Sequence, residues 1–377
     1  MNKGNEKEAG RKCEYNGDES NNSAGSMMGK VKIFVVFLVT AFFLSGCISI
    51  PPPMSTAPAS TNIGTTPTSA PIPEGSAQVG VPDLGPGADM QGFLSFPPDN
   101  PWNEDISALP VDPDSNLIIS TIGIRPLHPD FGTVWNGAPN GIPYIVVSGS
   151  QPKVKVSFDY AEESDKVPYP IPPDAPIEGG PQSSGDRHIL VIDRDAKTLY
   201  ELYAGYPNSD GSWKAGSGAV FNLTSNALRP ARFTSADAAG LPIFPGLVRY
   251  DEVVGRKEIK HALRFTVPKT RKAFVCPARH YASTLTDAKY PPMGARFRLK
   301  ASFNISEFPE NEQVILRALK KYGMIIADNG GAMFLSGAPD SRWNDQELAL
   351  LKNVKTTDFE VVKMPTPTGP EGEAQPC

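Results

Sequence analysis

From residue 142 onward, short apolar runs alternate with turn-forming residues. The runs are IPYIVV (142–147), VKVSF (154–158), HILVID (188–193), TLYELYA (198–204), HALRFTV (261–267), RFRLK (296–300) and GMIIAD (323–328). They are rich in Val, Ile, Phe and Tyr and too short for ordinary helices, so they read as strands. The stretch AGYPNSDGSWKAG (204–216) reads as a hairpin with Asp210 and Gly211 in its turn. Two segments carry a helical period instead. In residues 309–322, Pro309 suits a first turn, Val314, Ile315, Ala318, Leu319 and Tyr322 line one face, and Gly323 is the stop. The second helix is expected over about 344–352. The pattern predicts a mainly β chain: one large β-sandwich or jelly-roll-like domain over residues 92–363, with about two peripheral helices.

Composition divides the rest of the chain. Lys30 and Lys32 precede the apolar run IFVVFLVTAFFLSG, which ends at Cys47. A positive flank, a short apolar core and small residues at its end make a secretory leader over 27–46. The run is shorter than the roughly 20 apolar residues of a spanning helix. Residues 47–91 are rich in Pro, Ser, Thr and Ala, a composition that buries too little apolar surface to fold, and are read as a tether. Residues 364–377 read as a flexible tail for the same reason. Residues 1–26 are hydrophilic and of mixed charge, and Met27 or Met28 would begin a leader of ordinary length. They are read as a non-native extension.

The motif LSGC, Leu44 to Cys47, resembles the lipobox of bacterial lipoproteins. That resemblance implies a diacylglyceryl group on the Cys47 thiol and cleavage just before it. It also implies an exported protein held by lipid at the cell membrane or outer membrane, facing the periplasm or the exterior. Membrane attachment through that lipid is the expected partner interaction. With Cys13 in the extension and Cys47 lipidated, Cys276 and Cys377 remain, free to pair in an oxidising compartment. Their spacing is not that of a metal site. The globular part is similar to large exported bacterial proteins in the stretches SGDRHILVID, SNALRPARFTSADAAGLPIFPGLVRYDEV and KYGMIIADNG, a similarity that implies no activity.

Strand alternation sorts the side chains that could carry chemistry. His188, Leu190 and Ile192 share one face, as do His261, Leu263, Phe265 and Val267, with Arg264 on the opposite side. The stretch GDRH brings Asp186 and Arg187 to the head of the 188–193 strand. CPARHYAS groups Arg279, His280 and Tyr281, and LHPDFG supplies His128 and Asp130. Three readings compete. The first is structural: each side chain satisfies a backbone carbonyl or a buried carboxylate. The second is a carbohydrate-active cleft, with His188, His280, Tyr281 and Asp186 as catalytic groups and Arg187, Arg279, His261 and His128 as ligand-binding groups. Glycoside hydrolysis there would need a carboxyl pair drawn from Asp186, Glu201, Asp251, Glu252 and Asp328, whereas elimination on a uronic acid would need Arg to neutralise the carboxylate and His or Tyr to move the proton, residue types that ARHY and GDRH supply; Trp102, Trp135, Trp213 and Trp343, with Tyr281 and Tyr290, could supply aromatic platforms. The third is a metal site assembled from His128, His188, His261 and His280, none of which are spaced as a local ligand pair.

The net charge of −5 and the lack of a densely basic stretch exclude nucleic acid as a partner. No nucleophile elbow, phosphate loop or dinucleotide fingerprint occurs, so no cofactor is expected. The sequence therefore points to a lipid-anchored β domain that binds or processes a polysaccharide, or alternatively to a non-catalytic envelope or adhesion module. A titratable cluster converging in one place would favour the first, and a flat aromatic patch without one the second.

Overall fold

The computed structural model describes residues 80–373. The chain is mainly β, with several sheets and few helices. The leader, Cys47 and the extension at residues 1–26 lie outside the described residues, as does most of the tether.

One sheet has five strands, in the order Gly85–Pro86, Tyr144–Val147, Ile189–Asp193, Thr198–Tyr203 and Ser217–Asn222. Both of its faces are covered. Tyr144, Val146, Leu190, Ile192, Leu199, Ala219 and Phe221 enter the large apolar cluster of the domain. Their alternates Ile145, Val147, Ile189, Val191, Tyr200 and Leu202 enter a second cluster with Tyr169, Ile171 and Trp213. This explains why residues 189–192 are apolar without alternation: their strand is buried on both faces and pairs in parallel with Tyr144–Val147.

The other large sheet has six strands, in the order Phe359–Val361, Arg296–Leu299, Met324–Asn329, Leu263–Val267, Phe334–Ser336 and His128–Asp130. Leu263, Phe265, Val267, Phe297 and Met324 belong to the same large cluster as the inner residues of the first sheet. The helix Glu310–Lys321 adds Val314, Ile315, Ala318 and Leu319 to it. Gly323 ends that helix at φ +68°, and a Cβ there would meet the Phe297 carbonyl oxygen at 2.4 Å, so only glycine fits.

All seven runs read as strands contain strands. The hairpin also forms, Tyr206–Pro207 pairing with Trp213–Ala215 around Gly211. A third helix, Ser115–Ile122, was missed although Ile118, Ile119 and Ile122 are spaced for one face. The expected second helix is divided between Asp345–Leu348 and a tighter turn at Ala349–Asn353.

Composition placed both domain boundaries too far inward. Gly85 and Pro86 pair with Ile145 and Val146, and the Tyr144 hydroxyl donates to the Ala88 carbonyl at 2.7 Å. Residues 80–91 thus cover what would be an open strand edge. In the segment read as a flexible tail, Thr368 exchanges two backbone hydrogen bonds with Phe274, and the Arg232 guanidinium donates to the Pro370 carbonyl at 2.9 Å. Cys276 is disulfide-bonded, and Cys377, its expected partner, lies outside the described residues.

Candidate functional site

The site is assembled by the loop 234–241, which passes between the two large sheets. Gly240 turns it at φ +69°, where a Cβ would meet the Phe233 carbonyl oxygen at 2.5 Å. Along the loop, the Ala236 carbonyl faces His188 Nε2 at 3.1 Å, and the Ala238 carbonyl faces His280 Nδ1 at 2.7 Å. The Ala239 amide donates to the Ala327 carbonyl at 3.0 Å. Asp237 receives a two-point contact from Arg264, Nη2 to Oδ1 at 2.8 Å and Nε to Oδ2 at 3.3 Å, while Arg264 Nη1 donates to Ser336 Oγ at 2.7 Å. Burial works to raise the Asp237 carboxyl and the Arg264 fork works to lower it. Burial prevails and Asp237 is raised, while the two-point contact holds Arg264 charged beyond its ordinary range.

Among the described residues, four carboxyl groups at this cluster reach solvent: Asp130 and Asp186, which are exposed, and Glu178 and Asp328, which are partly so. Glu178 keeps 25% of its side chain exposed, and its Oε2 lies 2.7 Å from His188 Nδ1. Burial would raise it, but the His188 charge and hydrogen bonds bring it below the usual carboxylate range. Asp328 keeps 32% of its side chain exposed and lies 4.0 Å from Arg264 Nη2. Crowding by the protein and the neighbouring Asp237 charge push it up to about 7, against the pull of Arg264. A register shift between Phe265 and Thr266 sets Asp328 opposite Thr266. That puts it on the face that carries Arg264, since a slip of one residue exchanges the two faces.

His188 is fixed rather than free. Its ring nitrogens face a carboxylate and a carbonyl, both acceptors, so both nitrogens donate. Burial alone would lower it, but the Glu178 charge and hydrogen bond, with Asp186 adding to them, raise it to about 9. With 5% of its side chain exposed, it cannot pass a proton to a ligand. Its partner is Glu178, and Asp186, expected as a catalytic group beside it, is exposed and adds only its charge.

The remaining expected residues scatter. Arg187 is a clamp, not a ligand contact: it is buried, donates to the Gly205, Pro181 and Ser183 carbonyls, and stacks over Tyr206 at 4.2 Å. Arg279 donates to the Arg229 carbonyl at 3.0 Å. Tyr281 stacks on His280 at 5.6 Å. His188 and His280 hold carbonyls two residues apart, which sets their bonded nitrogens within about 13 Å of each other. They meet at a shared loop and make no direct contact.

His261 belongs to a different group. Its Nε2 lies 3.1 Å from Glu252, which pairs with Arg249 at 2.6 Å, and Asp251 lies beside them. None of these side chains is more than 10% exposed. Glu201 is wholly buried, accepting backbone N–H groups from Ile243 and Phe244, and burial raises it to about 7 out of reach of any substrate. His128 sits at the far edge of the six-stranded sheet, stacked on Phe334. Trp102, Trp213 and Trp343 are buried, while Trp135 is 68% exposed. Among the described residues no group of three or more His, Cys, Asp or Glu side chains is arranged to hold a metal ion, and no helix is long and apolar enough to cross a membrane.

Glu178, Asp237, Arg264 and Ser336 were not singled out as site residues. The available signal was a charged or polar side chain inside an apolar strand, as Arg264 is in ALRFTV. No family model matches the chain, and no curated protein or solved structure matches it significantly.

Proposed function

We propose that the protein processes a glycan by acid–base hydrolysis at the Glu178–Asp328 cluster. One observation carries this reading. Among the solvent-reaching carboxyl groups beside Arg264, Glu178 is driven downward by His188 while Asp328 is pushed up to about 7 by crowding and the Asp237 charge. Such divergence assigns an acid and a base. Asp328, protonated below about pH 7, donates to the leaving oxygen. Glu178, ionised, activates water or stabilises the developing positive charge, and Arg264, buried as deeply as His188, is a positioning residue that holds Asp237 and lies 4.0 Å from Asp328. His188 acts through Glu178 and is a positioning residue. The converging titratable groups favour this reading over a non-catalytic adhesion module.

The test is release of new reducing ends from a panel of cell-wall and secreted polysaccharides. Asp328→Asn and Glu178→Gln should each lower turnover roughly 10²–10⁴-fold, and the native rate should fall as pH rises past about 7. Unchanged turnover in Asp328→Asn overturns the assignment.

The two larger sheets support a sandwich, because alternate residues of both enter one apolar cluster. Parallel pairs such as Leu263–Val267 with Met324–Asn329 are foreign to the antiparallel strands of a jelly roll. The lipobox supports lipid anchoring at Cys47 on an exported, membrane-held chain. Cys47→Ala should abolish metabolic labelling by a palmitate analogue, and persistent labelling would refute the anchor.

A further inference from the structure

At the outer edge of the six-stranded sheet, a cavity of about 360 Å³ is lined by Arg125, Pro126, His128, Pro268, Ala332 and Phe334. We propose that this cavity is a glycan subsite in which the stacked His128 and Phe334 rings receive a sugar ring and Arg125 receives its carboxylate, so that the polymer handled is a uronic acid-containing glycan. The inference rests on the reading of the Glu178–Asp328 cluster as a glycan-processing centre and names the substrate class for it.

Register ties the cavity to that centre. Thr266 pairs with Asp328 on one side and Phe334 on the other, and Phe334 pairs with His128. Ladder partners lie on one face of a sheet, so Asp328, Thr266, Phe334 and His128 form one row across four strands. At about 4.8 Å per strand, the Phe334 backbone lies roughly 10 Å from that of Asp328, and His128 roughly 14 Å. A short oligosaccharide reaching from the cluster to the sheet edge would cross both rings.

The surfaces suit a carboxylated sugar. The His128 and Phe334 rings stack at 4.0 Å between centroids with an interplanar angle of 15°. Burial and the Lys352 charge hold His128 below its ordinary range, so the ring is neutral at neutral pH and offers a flat uncharged face. The Arg125 guanidinium makes no hydrogen bond or ion pair with any described residue, and its planar fork matches a carboxylate. No carboxylate lines the cavity.

Binding is measured with the full chain carrying Asp328→Asn, so that turnover does not interfere. The probes are polygalacturonate and alginate oligomers and their carboxyl-reduced counterparts. Phe334→Ala and His128→Ala should each weaken binding of the charged oligomers about tenfold, as expected for loss of an aromatic contact. Arg125→Gln, at an exposed position that does not threaten folding, should erase the preference for charged over reduced oligomers. Equal binding of charged and reduced oligomers by the parent chain, undiminished binding in Arg125→Gln, or no binding of either polymer overturns the subsite. The two ideas separate cleanly. Binding that depends on Arg125 in a chain with no turnover before Asp328→Asn sinks the hydrolase and keeps the subsite. Turnover that requires Asp328 but ignores Arg125, His128 and Phe334 does the reverse.

Discussion

Two buried clusters in this domain draw on the same residue types. Arg264, His188, Asp237, Glu178 and Asp328 make one, and Arg249, His261, Asp251 and Glu252 make the other. In each, a buried arginine pairs with a carboxylate and a histidine contacts a glutamate. The difference is water. In the second cluster every side chain is sealed, Glu252 is held ionised against burial by Arg249 and His261, and Asp251 accepts from the Met90 amide at 3.1 Å. Its ion pairs and the Asp251 contact with the Met90 amide tie residues 88–93 to the domain. In the first, Glu178 and Asp328 reach solvent, and the counter-ion of Asp328, Arg264 at 4.0 Å, is shared with Asp237. Residue type alone does not separate a structural ion cluster from a chemical one. A carboxyl group that is crowded, under-compensated and still wetted does.

The largest effect that would test this contrast is expected at Arg264. Arg264→Met leaves Asp237 buried without its partner and should cost about 3–5 kcal/mol in denaturant unfolding. A loss under about 1 kcal/mol would mean that the pair does not hold the loop, and the first cluster would lose its frame. Glu252→Gln should cost about 1–3 kcal/mol while turnover per folded molecule stays unchanged. A drop in turnover at full stability would give the sealed cluster a role in the chemistry and erase the distinction. The last test is a pH slope. His188 rises to about 9 in the folded protein from an ordinary value near 6.5. The stability it contributes is therefore complete below about pH 6.5 and is lost as pH climbs through about 9, at up to about 1.4 kcal/mol per pH unit. His188→Gln should remove that decline from unfolding measured across the window. A decline of the same steepness in the variant would show that the His188–Glu178 pair is not its source.

Much of the scaffold was legible along the chain. The strands at 144–147, 189–193, 198–203 and 263–267 were, as was the helix at 310–321, because burial on one or both faces prints its period into neighbouring residues. Alternation also placed Arg264 on the face opposite Leu263 and Phe265. The clustering of Asp328 with Arg264 was not legible, because it follows from a register shift between two strands that are far apart in sequence. Nor was Glu178, which lies in an irregular loop with no period to read and gains meaning only from the His188 ring beside it. Arg187 shows the opposite error: adjacency to His188 suggested a common task, yet a positive φ at Arg187 turns the chain and its guanidinium clamps three loop carbonyls.

By itself, then, the sequence determined the β-rich class, most strand and helix positions, which strand faces are apolar, and the expectation of an exported, lipidated chain. Those depend on composition and on contacts between near neighbours. Only the tertiary structure decided which carboxyl groups share a site, which histidine is fixed as a cation, and which charges stay wet. Solvation, register and loop closure are properties of segments brought together from distant parts of the chain, and no local pattern records them.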